Sequence, residues 1–255
     1  MSFTADFSGK IVLITGASSG IGKETAIKAA QAGATLALGD INVSALDEVL
    51  ENCQNFKPND CHLKLALDVS LSNDCNNFVD KVLHTFGQVD CVFNCAGINP
   101  SSVPVESVSD EYWDKLINTN LRGTFNITRA CLPHMRSGSS LVNVSSVCGN
   151  NPVANFSVYC AAKYGVIGFS KSVAMEVGQR GIRVNVIAPG YTDTPTNVSV
   201  RAGAEAIQRT ADSVGMKRMG NVDEIANVAL FLFSDLSSYM NGAVVDVDGG
   251  IGMFG

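Results

Sequence analysis

Residues 10–33 read KIVLITGASSGIGKETAIKAAQAG. A short apolar run, KIVLIT, is followed by a glycine-rich turn and then by residues with helical spacing. Gly16, Gly20 and Gly22 stand at G-x-x-x-G-x-G spacing, with Ser18 and Ser19 between them and the helix beginning at about Ile21. Glycines permit a tight strand-to-helix turn and let the backbone approach a ligand closely. The free N–H groups and dipole at the helix start then favour a negative group such as a pyrophosphate. Buried strand, glycine turn and amphipathic helix in that order make a dinucleotide site the reading to test.

Outward from this stretch the same alternation continues. TLALG (35–39), LKLALDV (63–69), DCVFN (90–94), SLVNVS (140–145), IRVNVIA (182–188) and AVVDV (243–247) read as further strands. Their nearly continuous apolar character is that of strands covered on both faces. Helical patterns such as NVDEIANVALFLF lie between them. Repeated strand–helix alternation predicts an α/β fold: one Rossmann-type, doubly wound parallel sheet of about seven strands with helices on both faces. With no internal repeat or linker, a single domain over 1–255 is expected. Segment 191–220 is too long for an ordinary connection and reads as a lid or helical insertion.

Bulk numbers restrict the function classes. The 255 residues are 46% hydrophobic and 16% charged, with a net charge of -6. That balance disfavours a nucleic-acid or anionic-membrane partner. The eight cysteines (Cys53, Cys61, Cys75, Cys91, Cys95, Cys131, Cys148, Cys160) form no C-x-x-C pair, and His62, His84 and His134 are scattered. No metal site is expected. No basic leader followed by a long apolar run opens the chain, so free thiols in a reducing, cytoplasmic compartment are expected.

Other candidate ligand residues sit at predicted strand ends, where such sheets bind ligands. Asp40 closes the second strand. Its carboxylate can accept hydrogen bonds from both adenosine ribose hydroxyls, whereas a 2′-phosphate would meet a like charge. Neither the turn nor the residues after Asp40 supply Arg or Lys, so NAD rather than NADP is the expected cofactor. Asp68 and Val69 end the third strand, and Asn94, Cys95, Ala96 and Gly97 follow the fourth. Further on, SVYCAAKY (157–164) places Tyr159 and Lys163 one helical turn apart, on one face.

Taken together these segments resemble the short-chain dehydrogenase/reductase family over essentially the whole chain. TGASSGIG matches the family's T-G-x-x-x-G-x-G, NCAG its N-N-A-G with Cys95 replacing the second asparagine, and YCAAK its Y-x-x-x-K. Ser146 stands thirteen residues before Tyr159, Asn120 lies in NTNLRGTF, and PGYTDTP (189–195) matches the P-G segment, with Thr192 where Ile or Val is common. The resemblance implies an alcohol dehydrogenase or carbonyl reductase that interconverts a secondary alcohol and its ketone by hydride transfer.

By resemblance Tyr159 is the general acid/base and Ser146 binds the substrate oxygen. Lys163 lowers the phenol's pKa and holds the nicotinamide ribose, and Asn120 holds a relay water. Lowering a tyrosine from about 10 by about three units takes roughly 4 kcal/mol. Asp68 and Val69 are implied at adenine; Pro189, Gly190, Thr192 and Thr194 frame nicotinamide, and Tyr191 borders the substrate. Phe156, Val153 and Met216 are read as giving that pocket a partly apolar wall. The resemblance also implies a homotetramer, with a dimer second, built on helices beginning near Asn120 and Ser157. A 3-oxoacyl-thioester reductase, a catalytically silent nucleotide-binding scaffold and an epimerase or dehydratase of the extended group are the alternatives.

Overall fold

A computed structural model describes residues 6–56, 62–197 and 202–251. Cys61 and part of the 191–220 segment therefore lie outside the described residues. Seven strands form one sheet in the order β3-β2-β1-β4-β5-β6-β7, every neighbouring pair parallel. The strands are β1 (Ile11–Thr15), β2 (Thr35–Asp40), β3 (Leu63–Ala66), β4 (Cys91–Asn94), β5 (Ser140–Val144), β6 (Arg183–Pro189) and β7 (Val244–Val247). The helices are α1 (Gly20–Gln31), α2 (Val43–Cys53), α3 (Ser72–Phe86), α4 (Asp110–Ile117), α5 (Gly123–Cys131), α6 (Ser157–Val177), α7 (Ala204–Asp212) and α8 (Val222–Phe233).

Alternate residues of each central strand feed opposite cores. Val12, Ile14, Leu36, Leu38 and Phe93 pack with Ala26 and Ala29 of α1 and Ile225 and Leu232 of α8. Leu13, Ala37, Val92, Leu141 and Val184 face the other way, against Phe78 and Val82 of α3, Ile127 of α5 and Val173 and Val177 of α6. This two-sided burial explains the continuous apolar runs in the sequence. Because all strands run the same way, their C-terminal ends and the loops that follow gather along one edge.

Two boundaries differ from expectation. β3 ends at Ala66 rather than Val69, because this edge strand pairs only with β2 and that pairing stops at Asp40 opposite Ala66. Asn120 does not lie near a helix start. α4 runs into a π turn, Asn118–Arg122, which passes directly into α5. A helical period alone gives no warning of such a turn.

Candidate active site

The strand ends and their loops enclose a cleft of about 680 Å³, within the range of small-molecule sites. One end is made mainly of backbone. Gly16 and Gly20 have φ of +67° and +52°, the left-handed region that favours glycine. A Cβ on Gly16 would lie 2.7 Å from Ala96 Cα, and one on Gly22 would lie 2.1 Å from the Gly16 carbonyl oxygen. Ser18, Ser19, Gly20 and Ile21 line the cleft, and the Ser19 side chain at the start of α1 makes no capping bond. Those N–H groups thus face the cleft where an anion would sit.

Asp40 is buried beside them. Its Oδ2 accepts the Ser18 N–H at 3.0 Å and its Oδ1 the Asn42 N–H at 2.9 Å. Each oxygen retains acceptor capacity for a ribose hydroxyl. Asp68, Val69, Ala96 and Gly97 also line the cleft. Glycine at 97 is required by close approach, since a Cβ there would lie 2.6 Å from Asn120 Oδ1 and 3.8 Å from Lys163 Nζ. The cradle and carboxylate therefore fit a dinucleotide, with the adenosine at Asp40 and the pyrophosphate at the start of α1.

The other end is made of side chains. Ser146 follows β5, and its Oγ accepts the Cys148 N–H at 3.2 Å. Tyr159 and Lys163 sit one turn apart near the start of α6, both buried. Burial pushes the Tyr159 phenol above its ordinary value, and a hydrogen bond with Ser146 acts against that shift. Lys163 Nζ stands 5.6 Å from the Tyr159 ring centroid and donates to the Val144 carbonyl at 3.0 Å. Burial lowers its pKa to about 8, and none of the ion pairs among the described residues involves it. The expected lowering of the phenol by Lys163 is not seen in the chain alone, where burial dominates and Ser146 is what opposes it.

Asn120 lies in the π turn with both side-chain groups bound to Ile98. Its Oδ1 accepts the Ile98 N–H at 3.0 Å and its Nδ2 donates to the Ile98 carbonyl at 3.1 Å. One hydrogen of Nδ2 and one lone pair of Oδ1 stay available, while the Asn120 backbone carbonyl accepts from Thr124 Oγ1 at 3.3 Å. Pro189, Thr192 and Thr194 line the cleft, and Thr194 meets the glycine turn: a Cβ on Gly20 would lie 3.4 Å from its Cγ2. Asn99 Nδ2 donates across to the Thr196 carbonyl at 2.8 Å.

Four expected site residues do not line the cleft. Asn94 is buried behind it, its Nδ2 donating to Thr128 Oγ1 at 3.1 Å and Asn143 Oδ1 at 2.8 Å. Gly22 seats α1 against the turn. Gly190 is packed on Asp248, whose Cα lies 2.7 Å from where its Cβ would be. Tyr191, Phe156, Val153 and Met216 are not among the residues that line this cleft, although Phe156 packs on the cluster of Leu116, Val158, Tyr159 and Ala162. Cys95, Thr196 and Asn197 line the cleft as well, the last two from the segment read as a lid; residues that sequence reasoning did not assign to it include Ile41, Asn42, Ile98, Asn99 and Lys115. Most lie on loops immediately after strands, and that position was their only signal.

A parallel doubly wound sheet with a glycine cradle and a buried Ser–Tyr–Lys cluster in one cleft defines an oxidoreductase that binds a nicotinamide cofactor. The family model described as enoyl-(acyl carrier protein) reductase matches residues 16–252. A 3-oxoacyl-[acyl-carrier-protein] reductase of Thermotoga maritima is 39% identical over 245 residues, covering 95% of this chain and 98% of its own. Levodione reductase of Leifsonia aquatica is 38% identical over 255 residues, covering 97% and 96%. A crystal structure of levodione reductase superposes with a TM-score of 0.90 over 95% of this chain and 97% of that one. A short-chain dehydrogenase of Burkholderia cenocepacia solved with NADP, 28% identical, superposes with a TM-score of 0.87 over 96% and 98%. The chain belongs to the short-chain dehydrogenase/reductase family. No helix among the described residues is long and apolar enough to cross a membrane.

Proposed function

We propose that the chain is an NAD(H)-dependent oxidoreductase, a single domain, interconverting a secondary alcohol and its ketone. The observation that carries this reading is one cleft lined by the Gly16–Gly20 turn, Asp40, Ser146, Tyr159 and Lys163. When bound, the dinucleotide accepts or supplies the hydride. Tyr159 gives its hydroxyl proton to the forming alkoxide in reduction and takes it back in oxidation. Ser146 hydrogen-bonds the same substrate oxygen and holds it against the phenol. Lys163 supplies positive charge near the ring in a water-poor site, favouring the phenolate during oxidation.

The raised pKa of Tyr159 leaves it protonated across the physiological range, ready to act as an acid. The lowered pKa of Lys163, about 8, keeps it mainly cationic below that pH. Ketone reduction is therefore expected to hold level below pH 8 and to fall as pH rises through it. A pH–rate profile with no limb between pH 7 and 9 would contradict the Lys163 assignment.

NAD preference rests on Asp40 and on Ile41 and Asn42 beside it, none of which offers a cation to a 2′-phosphate. A 3-oxoacyl-thioester reductase is the second reading, favoured by the matching family model and the Thermotoga maritima relative. The polar segment 192–197 is read as part of a lid over the cleft, and a homotetramer as the working assembly. The test is a panel containing levodione, acetoacetyl-coenzyme A and secondary alcohols, each followed at 340 nm with both cofactors. Turnover of a simple ketone or alcohol with NAD(H) is expected. Turnover of the thioester alone selects the second reading, and equal efficiency with NADP(H) removes the Asp40 argument.

A further inference from the structure

Ser146 is held by the turn that follows it rather than by β5. Gly149, which accepts no side chain here, lies against α6: its Cβ would stand 3.0 Å from the Lys163 carbonyl oxygen and 2.3 Å from Ser145 Oγ. Ser145 Oγ itself donates to the Lys163 carbonyl at 2.9 Å. The turn closes on itself through the Gly149 N–H to the Ser146 carbonyl and the Asn150 N–H to the Val147 carbonyl, and Asn150 ties it to its neighbours. The Tyr164 hydroxyl donates to the Asn150 carbonyl at 2.5 Å, and Asn150 Nδ2 donates to Asp246 Oδ1 of β7 at 2.6 Å.

Burial does not explain this tyrosine. In the single chain Tyr164 is 43% exposed and belongs to neither of the two main cores, while its hydroxyl is bonded to the Asn150 carbonyl. That contact is made one residue after Lys163, on the helix that also carries Tyr159.

We infer that Tyr164 is a positioning residue for Ser146: from α6 its hydroxyl, with Asp246 on the other side, pins Asn150 and so fixes the turn that presents the Ser146 hydroxyl to Tyr159. The inference rests on the proposed acid–base reading of that pair. The phenol is pushed up first by burial, then drawn down by Ser146, with the Cys148 and Cys160 thiols pushing it up again. Loosening Ser146 therefore raises the pH at which Tyr159 ionises.

The test is Tyr164→Phe, which removes only the hydroxyl from a half-exposed ring, beside Asn150→Ala, which removes the Asp246 arm. Tyr159→Phe serves as the reference. Amide exchange of residues 147–150 is read by mass spectrometry, and it needs no substrate. Faster exchange is expected there, with NAD affinity within twofold of wild type. With the panel's best substrate, kcat is expected to fall about three- to tenfold, and the Tyr159-linked limb of the alcohol-oxidation profile to move to higher pH. Combined, Tyr164→Phe and Asn150→Ala are expected to be non-additive.

Unchanged exchange overturns the anchoring. Faster exchange with unchanged kcat and profile overturns the positioning role and leaves the proposed function standing. Parallel losses of NAD affinity and melting temperature overturn it in favour of a general packing role. An active Tyr159→Phe enzyme overturns the reaction assignment and this inference together.

Discussion

The two ends of the cleft are built from different materials. At the nucleotide end the chain contributes backbone: positive-φ glycines, an uncapped helix start and contacts too close for any side chain. At the catalytic end it contributes buried polar side chains, among them a lysine whose pKa burial lowers to about 8. The first end is fixed by steric exclusion, so almost any change there breaks it. The second is held by a few hydrogen bonds and carries an electrostatic cost, so changes there alter chemistry before they alter the fold.

The largest effect that sharpens this contrast is expected at Gly22. A Cβ 2.1 Å from the Gly16 carbonyl oxygen must displace α1 or the turn. Gly22→Ala is expected to lose about 2–4 kcal/mol of stability together with most dinucleotide binding. Denaturant melts and fluorescence titration measure both, and a stable variant with normal affinity would break the comparison.

Lys163 should behave in the opposite way. Its folded-state pKa, about 8, lies below the ordinary 10.5. Below pH 8 it is charged in both folded and unfolded states, so the cost of burial is fully present. Between pH 8 and 10.5 the folded state sheds its proton first. Stability relative to Lys163→Met therefore rises with pH, by at most ~3 kcal/mol across that window. Parallel pH–stability curves for the two proteins would show that the lysine carries no such cost.

Asp40 stands between the two kinds, a side chain serving the backbone end. Asp40→Ala is expected to weaken NAD about tenfold and NADP less, since it removes a charged acceptor and a repulsion at once. An equal loss for both cofactors would mean that its bonds to Ser18 and Asn42 are its only role.

The same contrast decided what could be read from the sequence. Buried parallel strands must be apolar on both faces, and a cradle that excludes every Cβ must be glycine, so the sheet and the Gly16–Gly22 turn were legible. Tyr159 and Lys163 were legible because a helix fixes which residues share a face. Asn120 was misplaced because a π turn leaves no mark in helical periodicity. The end of β3 was missed because Leu67, though off the sheet, is still buried and apolar. Asn94 looked like a ligand contact because it ends a strand; only its bonds to Thr128 and Asn143 reveal that it ties the sheet to α5. Asn99 reaches the cleft through a loop conformation that no residue pattern encodes, whereas Thr196 and Asn197 belong to the segment 191–220 already read as a lid.

The most direct test of the account is Tyr159→Phe, read in two ways on one preparation. Removing one hydroxyl from the side-chain end should leave NADH affinity within about threefold of wild type while turnover falls by about 10²–10⁴. Turnover near wild type would contradict the assignment of the proton to Tyr159, and with it the division of the cleft into a cradle that binds and a cluster that reacts.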